Sequence, residues 1–234
     1  MAFIRLREVS KCYGRGDSRI WALRNINIEL EKGEFVVLLG PESSGKSTLL
    51  NILAGLERPT AGSYFVGRQD FSKASDRILH NFRRKRVGLV AQFPKLVPQL
   101  TVLENLKLVS TQVAEPMPAE AALALVGLSK IGGFYPAELS ASERYLVAIG
   151  RALAKRPDIV ICNQPTEALV FEVAEKVVKA IEMACAALDI TAVVSSRSIQ
   201  LKRMGSRILH LMDGRILGER RCNVNSSGKR QLQS

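Results

Sequence analysis

Apolar and polar residues alternate along much of the N-terminal part of this chain, and the alternation predicts strands. A period of two residues is typical of a strand that buries one face. The predicted strands of this part are Phe3–Val9, Ala22–Leu30, Phe35–Leu39 and Gly62–Val66. The turn between the second and third is Glu31–Glu34, in which Gly33 supplies a permissive backbone.

The rest of the chain mixes helical spacing with short apolar runs. Helices are predicted at Lys46–Ala54, Leu103–Leu108, Ala119–Val126, Ser140–Leu153 and Glu172–Leu188. Further strands are predicted at Val87–Val90, Ile159–Cys162, Thr191–Val194 and Ile208–Leu211. Strands and helices alternate at both ends, and a helical block separates the two ends. The pattern therefore predicts an α/β core that is interrupted by a helical subdomain.

The chain has 234 residues, of which 47% are apolar, and can bury a substantial core. This length predicts a single domain that spans residues 1–222. The polar residues 223–234 predict a disordered tail. No apolar run reaches the roughly 18 residues that a membrane-spanning helix requires. The segment Met1–Val9 also lacks the continuous apolar stretch of a secretory signal. We therefore expect a cytoplasmic location.

The cysteines show no spacing that is typical of a metal site. They are Cys12, Cys162, Cys185 and Cys222. Because Cys162 lies in an apolar strand and Cys185 in an apolar helix, both are predicted to be buried thiols. A disulfide framework or a structural metal is not expected.

The net charge of +12 and the pI near 9.9 raise the question of an anionic partner. Basic residues cluster at Arg83–Arg86 and again from Arg220 to Arg230. A nucleic acid, an anionic membrane surface and a solvated basic face are the three interpretations. No aromatic residues are interleaved for base stacking, so no nucleic acid is expected. An anionic cytoplasmic membrane surface, which attracts such clusters by about 1 kcal/mol per basic residue, is favoured over it.

One glycine-rich segment carries the most specific chemistry. It fits the phosphate-loop pattern G-x-x-x-x-G-K-[ST], and it lies between a predicted strand and a predicted helix, as that motif requires. The segment consists of Gly40, Pro41, Glu42, Ser43, Ser44, Gly45, Lys46, Ser47 and Thr48. Its backbone N–H groups would face a β-phosphate, Lys46 would reach the β- and γ-phosphates, and Ser47 would bind Mg²⁺. The carboxylate of Glu42 is unexpected beside a polyphosphate.

From about Phe3 to Leu217 the chain resembles the ATP-binding subunits of ABC transporters, in particular the lipoprotein-release and macrolide-export branch. The segments that carry the resemblance are Val90–Gln92, Leu100–Asn105, Leu139–Glu143, Ile159–Pro165 and Met212–Ile216. The resemblance implies a P-loop NTPase core with an N-terminal antiparallel β subdomain. It also implies an inserted α-helical subdomain at about residues 76–155.

Members of this family form head-to-tail dimers that hold two ATP molecules between the subunits, and the resemblance implies roles for several residues. Tyr13 would stack on adenine, although an ordinary surface aromatic is the alternative. Gln92 would contact Mg²⁺ and sense the γ-phosphate. The signature segment, which would face the ATP of the other subunit, consists of Ser140, Ala141, Ser142 and Glu143. Ser140 and Glu143 also form a capping box, which is compatible with that role.

Two positions after the strand Ile159–Cys162 depart from the family pattern. Where the family has aspartate and glutamate, this chain has Asn163 and Gln164. Asn163 keeps the shape of the aspartate that holds hydrated Mg²⁺ but lacks its charge. Gln164 cannot accept a proton from the attacking water.

Further departures affect other parts of the family's machinery. Arg197 occupies the position of a histidine that contacts the γ-phosphate, and Val170 replaces an aspartate between the subunits. Arg197 either stabilises phosphate charge or is a polar residue at a strand end. The usual glycine pair of the signature is Ala141 and Ser142, and its usual arginine is Leu146. Gln164 and Arg197 are therefore degenerate catalytic positions.

These substitutions predict a pseudo-ATPase: a subunit that binds ATP and Mg²⁺ at the cytoplasmic face of the cell membrane but hydrolyses ATP weakly or not at all. Its expected partners are an integral membrane permease and a second, catalytically competent ABC ATPase. One alternative is an active homodimer that powers export or lipoprotein extraction. Another is an interaction module that has lost ATP binding.

Overall fold

The described residues form two β-sheets of different construction. A computed structural model describes residues 2–165, 169, 171–198, 205–224 and 230–232. The strands are β1 (Ile4–Tyr13), β2 (Ile20–Leu30), β3 (Phe35–Leu39), β4 (Ala61–Val66), β5 (Gln69–Asp70), β6 (Val87–Val90), β7 (Ile159–Cys162), β8 (Thr191–Ser196), β9 (Arg207–Met212), β10 (Arg215–Val224) and β11 (Arg230–Leu232). The helices are α1 (Lys46–Leu53), α2 (Asp76–Arg86), α3 (Val102–Ser110), α4 (Ala119–Leu125), α5 (Ala141–Leu153) and α6 (Phe171–Ala187).

The first sheet is antiparallel and has the order β2-β1-β4-β5. On β2, buried Leu23, Ile26, Ile28 and Leu30 are separated by exposed positions. This is the alternation from which the strand was predicted, and it arises because one face of the sheet packs on a core while the other meets solvent. The implied N-terminal antiparallel β subdomain is confirmed.

The second sheet has the order β11-β10-β9-β3-β8-β7-β6, and its strands from β9 to β6 are parallel. Every residue of β3 and of β7 is buried. Parallel sheets are covered by helices on both faces, which explains why these strands are continuous apolar runs rather than alternating ones. The predicted α/β core is confirmed.

The local pattern did not predict the helix α2, although the helix lies within the residues 76–155 that the family resemblance assigned to a helical subdomain. Only Leu79 and Phe82 of its residues are buried, so the apolar signal in the sequence is weak. The cluster Arg83–Arg86, which the sequence indicated only as a basic patch, forms the last turn of this helix. Cations in that turn interact favourably with the carbonyl end of the helix dipole.

The C-terminal part differs from the prediction of a disordered tail over residues 223–234. The strand β10 continues to Val224, and Arg230–Leu232 pairs with it in antiparallel register. Residues 225–229 and 233–234 lie outside the described residues. This segment is polar, so its sequence does not predict a strand. It pairs nevertheless, because backbone hydrogen bonds do not require apolar side chains.

Cys162 and Cys185 are buried free thiols, as predicted, whereas Cys12 is half-buried. Burial raises the pKa of both buried thiols, that of Cys185 to about 12. Cys222 lies in a strand, and its side chain is outside the described part. Within the described ranges, no helix combines the length and the apolar character needed to cross a bilayer.

Helices α3, α4 and α5 pack together around a small core of their own. Its fully buried members include Val102, Leu106, Ala122 and Val147. These helices follow the edge strand β6, which belongs to the seven-stranded sheet. They therefore form a layer attached beside the parallel core.

A buried asparagine stabilises the loop that precedes the first helix of this layer. The Asn105 side chain is inaccessible to solvent and accepts a 2.7 Å hydrogen bond from the N–H of Val97. Its amide donates to the carbonyls of Val97, Leu100 and Thr101 at 3.0–3.1 Å. One side chain thus satisfies the backbone of the loop that leads into α3.

Replacing Asn105 by alanine is expected to lower the free energy of unfolding by about 1–3 kcal/mol, because buried backbone groups lose their partners. Urea unfolding followed by circular dichroism measures this change. The matched control is Asn81→Ala, since Asn81 is exposed on α2. Equal stability of the two variants would contradict the role assigned to Asn105.

Candidate nucleotide-binding site

The phosphate-loop segment connects the buried strand β3 to the helix α1. Two of its residues have positive φ, Ser43 at 58° and Gly45 at 100°. A Cβ atom on Gly40 would lie 2.1 Å from the carbonyl oxygen of Leu211, and one on Gly45 would lie 2.4 Å from that of Ala22. Both glycines are therefore required by close approach of the backbone, and at Gly45 also by its conformation.

The Lys46 side chain lies inside this loop and is 4% exposed. Its ammonium donates hydrogen bonds to the carbonyls of Gly40 at 2.7 Å and Pro41 at 2.5 Å, with Ser44 Oγ at 3.4 Å. Burial lowers the pKa of Lys46, the nearby guanidinium of Arg197 lowers it further, and Glu42 raises it. A partly dehydrated cation is thus held where the motif places phosphates.

The loop is also tied to the sheet on both sides. The N–H of Gly40 donates to the carbonyl of Ser196 at the end of β8, at 3.3 Å. The N–H of Gly214, between β9 and β10, donates to the carbonyl of Ser44 at 3.0 Å. Backbone bonds to the end of β8 and to the turn between β9 and β10 therefore fix the shape of the loop.

The structure brings the predicted Mg²⁺ ligand Ser47 and the substituted residue Asn163 together. Asn163 Nδ2 donates to Ser47 Oγ at 3.4 Å, and Asn163 Oδ1 accepts a 3.1 Å hydrogen bond from Ser195 Oγ. The same Ser195 hydroxyl accepts the backbone N–H of Gln164 at 3.0 Å, where Gln164 has a φ of 49°. Ser195 is wholly buried and was missed in the sequence, where it is one serine in an apolar strand.

The two unexpected charges of the sequence form an ion pair. Arg197 Nη1 lies 2.5 Å from Glu42 Oε1. Glu42 belongs to the phosphate loop, and Arg197 directly follows β8. The two residues could not be connected from the sequence, because nothing in a linear pattern links positions 155 residues apart.

Tyr13 lies beside α1, at the edge of the loop. Its hydroxyl donates to Glu57 Oε2 at 2.5 Å, with Thr48 Oγ1 at 3.5 Å, and its ring lies 5.2 Å from Lys11 Nζ. Burial and the bond with Glu57 raise the pKa of Tyr13. Its position next to Thr48 is compatible with the predicted adenine contact, which stays a prediction.

Gln92 follows the edge strand β6, and its backbone carbonyl accepts a hydrogen bond from the Tyr145 hydroxyl of α5. A second bond, from Arg151 of α5 to the carbonyl of Lys95, has a length of 2.9 Å. The segment that carries Gln92 is therefore attached to the helix that begins at the signature. Neither Tyr145 nor Arg151 was singled out in the sequence.

The signature residues lie apart from the loop, at the start of α5. Ser140 is the N-cap of this helix, and its capping box with Glu143 is present. Ser140 Oγ contacts Glu143 Oε2 at 2.6 Å and Ser142 Oγ at 3.2 Å, and Ala141 is exposed. The predicted capping role is confirmed, and the role toward a second subunit stays a prediction. Val170 lies outside the described residues.

A buried strand, a glycine loop closed around a lysine and a following helix define a P-loop nucleotide-binding protein. The model of the ABC transporter family matches residues 23–167. The chain belongs to the ABC transporter family, as the sequence resemblance indicated.

Individual relatives agree with this assignment. An uncharacterized ABC transporter ATP-binding protein of Methanocaldococcus jannaschii, MJ0796, is 34% identical over 91% of this chain and 94% of its own length. The lipoprotein-releasing system ATP-binding protein LolD of Geobacter metallireducens is 33% identical over 93% of this chain and 99% of its own. A dimeric structure of MJ0796 bound to ADP and Pi superposes with a TM-score of 0.82, at 34% identity, over 93% of this chain and 98% of that chain. The resemblance to the lipoprotein-release branch is thereby confirmed.

The capping box of α5 leads to a prediction about proton affinity. Hydrogen bonds from the side chain and backbone of Ser140 hold the pKa of Glu143 below its usual range. The stabilisation is therefore present at neutral pH and is lost as the pH falls through the folded-state pKa. Ser140→Ala is expected to raise the pKa of Glu143 and to lower stability by about 0.5–2 kcal/mol.

Helix α3 offers the matched control, because Thr101 and Glu104 form the same capping box there. Thr101→Ala should raise the pKa of Glu104 and leave that of Glu143 unchanged. Carboxyl titration by NMR measures both groups in each variant. If either substitution shifted the pKa of both carboxylates equally, the two capping boxes would not act independently of each other.

Proposed function

We propose that this chain is the ATP-binding subunit of an ABC-type membrane complex, and that it holds Mg-ATP without hydrolysing it appreciably. The observation that carries the proposal is the hydrogen bond from Asn163 Nδ2 to Ser47 Oγ beside an intact phosphate loop. An amide thus takes the position next to the serine where the family pattern has a carboxylate.

The side chains around Ser47 fit Mg²⁺ only as an ion that arrives with the nucleotide. Hard cations prefer charged oxygen ligands, and here the candidates are the Ser47 hydroxyl, the Asn163 amide beside it and, from the family resemblance, the amide of Gln92. The oxygen of Asn163 is engaged by Ser195, and its nitrogen points at Ser47. The phosphates would therefore supply most of the negative charge that holds the ion, while Ser47 orients it.

The glutamine at position 164 impairs the hydrolysis of ATP rather than its binding. Its amide cannot take a proton from water, and loss of a general base typically slows a reaction by about 10²–10⁴-fold. The Gln164 backbone nevertheless keeps an ordered position through Ser195. The Lys46 ammonium donates to Gly40, Pro41 and Ser44 rather than to these amides, so in the proposed function ATP binding does not require the carboxylates that hydrolysis lacks.

The signature segment supports a heteromeric partner. The phosphate of a partner's ATP would approach the N-terminus of α5, where anions are favoured. The side chains of Ala141 and Ser142 limit how closely it can approach. A homodimer would combine this crowding with the amides at both sites, so the better partner is a second ABC subunit that has the catalytic carboxylates.

A membrane subunit completes the proposed complex. LolD, which resembles this chain over most of its length, is the ATP-binding protein of a lipoprotein-releasing system. We propose an integral membrane permease as the second kind of partner and the cytoplasmic face of the membrane as the location. Basic residues of α2, among them Arg84 and Lys85, are exposed. In this complex they would contact the anionic lipid headgroups of the membrane.

Mg-ATP at a hundred times its dissociation constant is expected to stabilise the wild-type chain by about 2.7 kcal/mol. Thermal melting with and without the nucleotide measures this. Lys46→Ala should abolish the shift, because the loop then lacks its cation. An unchanged melting temperature of the wild-type chain would exclude ATP binding.

Phosphate release by the purified wild-type chain is expected to equal that of Lys46→Ala, which controls for contaminating enzymes. The double substitution Asn163→Asp with Gln164→Glu restores the two carboxylates and should raise phosphate release if a partner signature completes the site. Rapid release by the wild-type chain that Lys46→Ala abolishes would overturn the pseudo-ATPase and favour the active homodimer.

Purification of the chain from its native membrane tests the partners. We expect it to be isolated with a permease and with a second ABC subunit that has glutamate at the position of Gln164. Mass spectrometry identifies the components. Isolation of this chain with a permease but without another ABC subunit would contradict the heteromer.

A further inference from the structure

The ion pair between Glu42 and Arg197 is formed by a residue of the same phosphate loop whose carbonyls hold the buried ammonium of Lys46. Burial lowers the pKa of Lys46 most, the charge of Arg197 lowers it further and that of Glu42 raises it, so both charges of the pair act on this group. The backbone bond from Gly40 to Ser196 holds the two segments together. A carboxylate of the loop therefore interacts with two cations, with Arg197 by direct contact and with Lys46 through its charge.

The pair is accessible to solvent and can separate. The Arg197 side chain is 41% exposed and that of Glu42 is 76% exposed. Exposed ion pairs are weak, because water and salt screen the attraction. A phosphate offers the same guanidinium more charge and a bidentate geometry, and it is therefore the stronger partner for Arg197.

We propose that Glu42 is an internal substitute for the third phosphate of ATP. It neutralises Arg197 until the γ-phosphate takes its place, and Arg197 then binds that phosphate together with Lys46. ADP has no phosphate at this position and leaves the ion pair intact. Arg197 is thus a specificity-determining residue that favours ATP over ADP, and Glu42 is its competitor. This inference rests on the proposed binding of ATP.

The exchange explains why two unfavourable residues occur together. Glu42 alone would repel a polyphosphate, and Arg197 alone would add a second uncompensated cation beside Lys46. As a pair they leave the site with a net charge close to that of Lys46 alone. Neutralising one partner should therefore change ATP binding in a way that depends on whether the other partner is present.

Dissociation constants for Mg-ATP and Mg-ADP, measured by calorimetry, test the exchange in wild type, Glu42→Gln, Arg197→Gln and the double variant. The measured quantity is the preference for ATP, the ratio of the ADP constant to the ATP constant. We expect Arg197→Gln to lower this ratio about tenfold and Glu42→Gln to raise it about fivefold. In the Arg197→Gln background, where Glu42 has no arginine to neutralise and only repels phosphate, Glu42→Gln should raise the ratio by a clearly smaller factor.

The matched control is Lys32→Gln. Lys32 forms an exposed ion pair with Asp189, at 2.6 Å, and lies before β3, at the end of that strand opposite the phosphate loop. It should not change the ratio. An unaltered ratio in Arg197→Gln, or equal effects of Glu42→Gln in both backgrounds, would overturn the exchange while ATP binding stands. A wild-type chain that binds neither nucleotide would overturn the proposed function and the exchange together.

Discussion

The Lys46 ammonium is almost out of contact with water, and a buried cation is stable only where oxygen atoms surround it. The carbonyls of Gly40 and Pro41 provide those atoms, and they can do so only because the loop bends tightly enough to face its own lysine. That bend depends on glycine at positions 40 and 45, where any side chain would collide with neighbouring backbone. The buried strand β3 and the backbone bonds to its neighbours hold the loop in this form.

The end of β7 is organised around a single hydroxyl. Ser195 holds the side chain of Asn163 and the backbone of Gln164, so the two amides are ordered although they lack the charges of the family pattern. In the proposed function, this separates two tasks. The loop around Lys46 binds the phosphates, whereas the activation of water, which needs carboxylates, is left to a partner.

Communication between the two regions of the site has a physical route. Tyr145 and Arg151 of α5 hold the backbone of the segment that carries Gln92. The N-terminus of the same helix is the signature. In the proposed function, a displacement of α5 would therefore move both segments together.

The sequence was sufficient to predict the class of fold, to locate the phosphate loop and to identify the amide substitutions. These features depend on local spacing: a buried strand needs a continuous apolar run, and the loop needs glycines and a lysine at fixed intervals. It failed where local signals are weak, as in α2 with two buried residues and in the polar strand β11. The folded chain was needed to show that Ser195 supports both amides and that Glu42 pairs with Arg197. Those contacts join residues from different strands and loops, and the order in which the strands lie in the sheet brings them together.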